Sequence, residues 1–222
     1  MNVEVRSRLP RGDRIEQTLG VAHALFAERG YAEVTMEEIA AAVGVTKPLL
    51  YNYFGNKERL YIACMERAGD SLTQTVAAAI GGTESPGDAL GAGVRAFFAF
   101  LDTDRAAWAV LFDETLPGSG EVAERVAEYR GQIVALVSQS LLAQVPADRR
   151  DATRVEIEAL SAALLGAAEE LARWWLRTEA IAAGEAAELL ISTVEPGIRA
   201  RARAHLAANS PASNPPKGTP QA

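Results

Sequence analysis

Apolar residues recur with the period of an α-helix along almost the whole chain, and this spacing restricts the fold more than any other feature. A first helix is predicted by four apolar residues at steps of four, three and four: Ile15, Leu19, Ala22 and Phe26. The pattern continues from residue 13 to about 206, with no alternating apolar and polar run long enough to predict a strand. The sequence therefore predicts an all-α protein.

The composition excludes several other classes of protein. Hydrophobic residues make up 49% of the 222 residues, a share typical of a globular protein with a core. The one cysteine cannot form a disulfide scaffold or a cysteine zinc site. No stretch of about 18 apolar residues predicts a membrane span, and the N-terminal segment lacks the apolar region of a secretory signal. We expect a cytoplasmic protein without a membrane partner.

Charge is distributed unevenly along the chain. The first sixty residues carry eight basic and eight acidic side chains, so the net charge of −7 lies entirely in the remainder. An acidic protein is a poor general binder of nucleic acid, but a local basic face on a small module can still bind phosphate. The total charge therefore does not decide whether the chain binds nucleic acid.

Helix-ending signals divide the chain into two helical units. Gly30, Gly44 and Gly55 end the first three helices, Thr35 and Glu38 have capping-box spacing, and Thr46 and Asn56 are predicted to cap the third and fourth helices. Later helices are predicted at about 86–102, 104–116, 120–144, 149–179 and 184–207. The predicted division is a disordered basic arm at 1–12, a small unit at 13–58, a larger unit at 59–207 and a disordered tail at 208–222.

Residues 35–54 predict two short helices joined by a tight turn at Gly44 and preceded by a longer helix. This is the arrangement of a helix-turn-helix, whose second helix enters the DNA major groove. An ordinary three-helix bundle with a glycine in one turn fits the period and the turn equally well. These two features alone leave both interpretations open.

The residues of this segment closely resemble the N-terminal DNA-binding domain of the TetR family of one-component bacterial transcriptional regulators. The resemblance is carried by LFAERGY at 25–31, by Thr35, Ile39-Ala40 and Gly44-Val45, and by the pattern LYxYFxxKExL at 50–60. It implies an N-terminal three-helix helix-turn-helix domain and a larger C-terminal helical domain for ligand binding and dimerisation. The implied function is a regulator, more often a repressor, which binds a palindromic operator as a homodimer and is released by a small molecule.

The first turn of the third helix is predicted to face the base edges of DNA. Its residues are the candidates for base contacts: Thr46, Lys47, Pro48 and Leu49. The candidates for phosphate contacts are Thr35, Tyr51, Tyr53 and Lys57. Lys57 opens the fourth helix, where the positive end of the helix dipole also favours an anion. An alternative for Tyr51 is that it packs mainly against the core.

Aromatic residues of the larger unit are candidates for the walls of a ligand pocket: Phe97, Phe98, Phe100, Trp108, Phe112, Trp174 and Trp175. For any one of them, plain core packing is the alternative. An apolar or amphipathic effector is favoured, although Asp113, Glu114, Glu169 and Glu170 would suit a cationic ligand if they faced the pocket.

Dimerisation is assigned to the last two helices, through Val155, Leu160, Ala163, Leu164, Ala167 and Ala168 on one and Leu189, Leu190, Thr193, Val194 and Ile198 on the other.

No residue pattern predicts catalysis, a metal or a cofactor. His23 and His205 lack metal-ligand spacing, and a single intracellular cysteine such as Cys64 is usually a buried apolar residue. The predicted function is therefore a TetR-like regulator and not an enzyme. The alternative is an architectural or division-control DNA-binding protein without a small-molecule effector.

Overall fold

A computed structural model describes residues 10–112, 116 and 118–208, and nine α-helices account for most of this part of the chain. The prediction of an all-α fold is confirmed. The helices are α1 (Arg11–Glu33), α2 (Met36–Val43), α3 (Lys47–Phe54), α4 (Lys57–Gly81), α5 (Ala89–Thr103), α6 (Arg105–Leu111), α7 (Glu121–Ala143), α8 (Arg150–Thr178) and α9 (Ala183–Ala208). Within the described ranges, none of these helices is long and apolar enough to cross a membrane.

Two predicted boundaries need correction. Arg11 and Gly12, assigned to a disordered arm, lie in the first turn of α1, where the Arg14 N–H donates to the carbonyl of Pro10 at 3.1 Å. The helix predicted to reach residue 116 ends at Leu111, because Phe112 leaves the helical region with φ −128° and ψ 28°. The rest of the predicted arm, residues 1–9, and the tail from 209 lie outside the described residues, as do Asp113 and Glu114.

Capping explains how the short helices begin and end. The Thr35 hydroxyl accepts a hydrogen bond from the Glu38 N–H at 3.3 Å, and the Glu38 carboxylate accepts one from the Thr35 N–H at 2.8 Å. The Glu38 carboxylate also accepts hydrogen bonds from the Thr35 hydroxyl and from Arg29, and these two bonds with that from the Thr35 N–H lower the pKa of Glu38 to about 2. The predicted capping box is therefore confirmed, and the left-handed backbone of Gly44, at φ 75°, ends α2 as predicted.

The other two predicted caps differ in outcome. The Asn56 side chain accepts from the Arg59 N–H at 2.8 Å and caps α4. Thr46 stands at the N-cap position of α3, but its side chain makes no capping bond, and that prediction was wrong. Pro48 has no N–H to offer, and the Leu49 N–H donates to the Thr46 carbonyl at 3.0 Å instead.

The described residues form two hydrophobic cores, and α4 contributes to both. The first core joins α1–α3 to the start of α4, around the fully buried Phe26, Leu50 and Tyr61. It extends past the predicted domain boundary at residue 58, and the Tyr61 hydroxyl donates to the carbonyl of Val110 in α6 at 2.6 Å. The second core joins the rest of α4 to α5, α8 and α9. As a 25-residue helix, α4 is about 37 Å long and connects the two cores without a break.

Candidate nucleic-acid interface and ligand cavity

Helix α3 presents one face to solvent and fixes the other in the first core. Thr46, Lys47 and Pro48 are exposed and Leu49 is half-buried, whereas Leu50 is fully buried. The four candidates for base contacts therefore lie together at the start of α3, on the side that a DNA major groove could approach. Of these four side chains, that of Lys47 is cationic.

Lys47 forms an ion pair with Glu37 of α2, and its ammonium lies 5.7 Å from the centre of the Tyr51 ring. The hydrogen bond to Glu37 raises the pKa of Lys47, while the same bond lowers the pKa of Glu37. Both side chains are exposed, and an exposed pair of this kind contributes little to stability. A guanine base or a phosphate can therefore replace Glu37 as the partner of Lys47 at small cost.

The two tyrosines of α3 occupy different environments. Tyr51 is 39% exposed, so the alternative that it packs mainly against the core was wrong. Tyr53 is half-buried, and the guanidinium carbon of Arg11 lies 5.6 Å from the centre of its ring. Arg11 was assigned to the arm and not to this site, although its place at the start of α1 brings a positive charge beside α3.

Lys57 lies where the end of α1 meets the start of α4. Its ammonium donates to the Ala32 carbonyl at 3.2 Å and lies 4.5 Å from the centre of the Tyr31 ring. Partial burial at this contact lowers the pKa of Lys57. The side chain therefore joins the two helices at the N-terminal end of α4.

We expect Lys57→Ala to weaken binding to operator and scrambled duplexes alike and to reduce the slope of log affinity against log salt by about one unit. A phosphate contact contributes affinity without reading the sequence, so both duplexes lose the same counterion release. The measurement is fluorescence anisotropy over a salt series. An unchanged slope would show that Lys57 acts only through Ala32 and Tyr31, as a structural contact.

The predicted pocket aromatics separate into groups. Phe97 and Phe112 line cavities, and the Trp108 ring stacks on Phe112 with ring centres 4.1 Å apart. Phe98 and Trp175 pack edge to face in the second core, with centres 5.9 Å apart, and Phe100 packs at its border. Trp174 lies 37% exposed on α8. The structure therefore brings Phe97 and Phe112 to the cavities described here and places Phe98 and Trp175 in the core.

Three adjoining spaces run between α4, α5, α7 and α8. The inner chamber, of about 40 Å³, is apolar apart from Ser140 and includes Val76, Val94 and Ala168 in its wall. The middle chamber, of about 30 Å³, shares three wall residues with it: Phe97, Ile133 and Leu165. The outer cleft, of about 470 Å³, shares Phe112, Val126, Arg130 and Glu169 with the middle chamber. The three spaces adjoin one another in this order through shared wall residues, and we call them together the tract.

Charged side chains lie at the outer end of this tract. Glu169 forms an ion pair with Arg130, and Glu170 forms one with Arg173 at 2.6 Å. All four residues line the outer cleft, so the charges on its described lining residues balance. Glu169 and Glu170 therefore do not favour a cationic ligand, because each carboxylate already has a guanidinium partner.

Sequence reasoning missed the residues that hold α7 against α4 beside the middle chamber. The Tyr129 hydroxyl lies 3.0 Å from Asp70 Oδ1 and 3.2 Å from the Glu66 carbonyl. A Cβ on Gly69 would lie 2.7 Å from the Tyr129 ring, so the two helices approach closely only because residue 69 is glycine. A glycine inside a helical pattern was the available signal, since it often marks a close approach.

The outer face of α8 and α9 carries large apolar side chains in contact with solvent. Val155 is 76% exposed and Leu189 is 52% exposed, and Ala163, Ala167 and Thr193 are also exposed. Three residues predicted for the dimer interface do not reach this face, because they are buried in the second core of the same chain: Leu164, Ala168 and Leu190. Their assignment to the interface was therefore wrong.

Comparison with known families agrees with this arrangement. Residues 19–64 match the family described as bacterial regulatory proteins of the tetR family, and residues 86–195 match the tetracyclin repressor-like C-terminal domain. A solved TetR-like transcriptional regulator from Rhodococcus sp. RHA1 is 30% identical, with a TM-score of 0.70 over 86% of this chain and 99% of that one. The chain belongs to the TetR family and is a DNA-binding transcriptional regulator with a helix-turn-helix.

Two further proteins are similar to this chain, one in part of its sequence and one in its fold. The transcriptional activator FasR of Mycolicibacterium smegmatis is 38% identical over 120 residues, which are 54% of this chain and 55% of FasR. The match thus spans about half the length of that relative. The Bacillus subtilis regulator FadR in complex with stearoyl-CoA shares the fold, with a TM-score of 0.69 and 16% identity over 82% of this chain and 98% of that one.

Proposed function

We propose that the protein is a transcriptional repressor that binds a palindromic operator as a homodimer and is released by an amphipathic effector. The observation that carries this proposal is the course of α4. Its first residue, Lys57, lies beside the DNA-binding helices, and its later residues Val76 and Ile80 form a wall of the inner chamber. A shift of α4 at the chamber therefore changes the position of α3, and with it the spacing of the two recognition helices in the dimer.

The size of the chambers supports this coupling. The inner and middle chambers, of about 40 and 30 Å³, have room for only a few atoms, and their walls are closely packed side chains of four helices. A larger effector enters only if the helices separate, and Leu72 and Val76 make α4 one of the helices that must move. The effector binds the displaced arrangement more tightly, and a coupling of about 1–3 kcal/mol is typical of allosteric proteins in general.

We propose an acyl chain as the apolar part of the effector. The inner chamber is lined by aliphatic and aromatic side chains and lies at one end of the tract, while the charged residues lie at the other end. This order suits a molecule with an apolar tail and a polar head. FadR, which shares the fold, binds stearoyl-CoA, and acyl-CoA esters of increasing chain length are therefore the first compounds to test.

A substitution that fills the inner chamber should weaken the response to the effector without weakening DNA binding. Ala168→Val adds two methyl groups to the chamber wall, and we expect the effector concentration for half-release to rise about tenfold or more, because the chain loses its space. Operator affinity without effector should change less than twofold. Ala135→Val, exposed on α7, is the control. Equal release of both variants by decanoyl-CoA would show that the effector binds elsewhere.

Repression is tested by transcription with purified RNA polymerase from the promoter next to the protein's own gene. We expect the protein to lower the amount of transcript and an acyl-CoA to restore it. An increase in transcript on adding the protein would assign an activator, as FasR is named. DNA binding that ignores every acyl-CoA would favour the architectural alternative.

A further inference from the structure

Two buried polar atoms that have no hydrogen-bond partner among the described residues belong to side chains that line the middle chamber. They are Oγ1 of Thr73 on α4 and Oε1 of Glu169 on α8. Glu169 is only 6% exposed, and its other oxygen, Oε2, accepts from Arg130. The two atoms lie on opposite helices of one small space whose other walls are mainly apolar.

Buried polar groups in proteins are nearly always satisfied, and one left without a partner opposes folding. The unpartnered carboxylate oxygen beside this cavity therefore needs a partner from outside the chain, either a water molecule or a group of a ligand. A volume of about 30 Å³ also holds a water molecule, which a polar group of a ligand can replace. The middle chamber lies between the apolar inner chamber and the charged outer cleft, so a polar group held there would belong to the middle part of a ligand.

The chemistry of the two atoms limits what that group is. A carboxylate accepts hydrogen bonds and donates none, whereas a threonine hydroxyl does both. Burial raises the pKa of Glu169, and the charge of Arg130 opposes this shift. A ligand carboxylate placed here would put one acceptor against another, and a plain hydrocarbon would leave both atoms without partners.

Building on the proposed function, we propose that the effector carries a neutral hydrogen-bond donor between its apolar tail and its polar head, held between Thr73 and Glu169. The donor is a hydroxyl on the acyl chain or an amide N–H of the carrier arm to which the chain is attached. The tail then fills the inner chamber and the remainder extends past Arg130 into the outer cleft. This assigns Thr73 and Glu169 as specificity-determining residues.

The test compares three probes by tryptophan fluorescence titration: decanoate, decanoyl-CoA and 3-hydroxydecanoyl-CoA. Each is measured on the wild type, Thr73→Val, Glu169→Gln and the control Thr75→Val. Thr75 is exposed on the same helix, and its hydroxyl donates to the Ser71 carbonyl at 2.8 Å. Thermal unfolding of each variant without ligand accompanies the titrations.

If the donor is a hydroxyl on the acyl chain, 3-hydroxydecanoyl-CoA should bind the wild type about tenfold more tightly than decanoyl-CoA. Thr73→Val and Glu169→Gln should abolish this preference. If the donor is an amide N–H of the carrier arm, the two esters should bind the wild type equally well. The same two variants should then weaken the binding of both esters about tenfold and leave the binding of decanoate unchanged. Thr73→Val should also keep or raise the melting temperature, since valine removes an unpartnered hydroxyl, whereas a purely structural role would lower it.

Two results would overturn the inference, and they differ in meaning. Equal affinities of each probe for the wild type and for both cavity variants would reject the polar site while leaving an acyl effector in place. Failure of all three probes to bind the wild type would reject the proposed acyl effector together with the site that depends on it.

Discussion

Leu50→Ala should lower the free energy of unfolding by about 2–5 kcal/mol, the usual loss for a fully buried leucine. The eight-residue helix α3 is too short to be stable alone, and Leu50 is its fully buried anchor in the first core. Loss of this side chain should therefore also release α3 from α2 and α4. Chemical denaturation followed by circular dichroism measures the stability, and operator binding at low denaturant should fall with it.

Leu49→Ala is the matched control, because it removes the same side chain from the neighbouring half-buried position. We expect a change in stability below about 1 kcal/mol, together with a changed preference at one operator position if Leu49 contacts a thymine methyl. Equal destabilisation by the two variants would mean that α3 is rotated relative to the orientation described here.

Leu189→Glu should convert the protein to a folded monomer and reduce operator affinity by about 100-fold or more, because one half-site is then bound without the other. Leu189 is 52% exposed on the outer face of α9, and α8, which packs against α9, carries the exposed Val155. A charge at the centre of a helix-helix interface loses its water without gaining a partner. Sedimentation equilibrium measures the mass, and anisotropy measures binding to a two-half-site duplex.

The control for this prediction is Ala78→Glu, which adds the same charge at an exposed position of α4. It should leave the mass and the operator affinity unchanged. If Leu189→Glu sediments as a dimer with full affinity, the outer face of α8 and α9 is not the dimer interface, and another surface must provide it.

Local rules predicted the DNA-binding part of the structure well. The capping box at Thr35, the left-handed Gly44 and the Asn56 cap each depend on residues only a few positions apart, so the sequence contains the whole interaction. The absence of a capping bond from the Thr46 side chain also has a local cause. Pro48 lies in the first turn of α3 as predicted, and its missing N–H removes a donor for the Thr46 hydroxyl.

The cavity was much less predictable, because it depends on contacts between distant parts of the chain. Helical period could not decide which aromatic residue faces a neighbouring helix and which faces a void, so Phe98 and Phe97 were indistinguishable in the sequence. Thr73 and Glu169 belong to helices about a hundred residues apart, and only packing of α7 and α8 on α4 brings them to one chamber. The same limitation led Leu164, Ala168 and Leu190 to be assigned to a partner when they pack within the chain.

Fluorescence anisotropy of the purified protein on the DNA flanking its own gene tests the central claim most directly. A scrambled duplex is titrated in parallel, salt is raised from low to physiological concentration, and decanoyl-CoA is then added. We predict tight binding to the flanking DNA alone, with affinity that the acyl-CoA lowers. Equal, weak and strongly salt-dependent binding to both duplexes, unaffected by the acyl-CoA, would contradict the account and leave only non-specific phosphate binding.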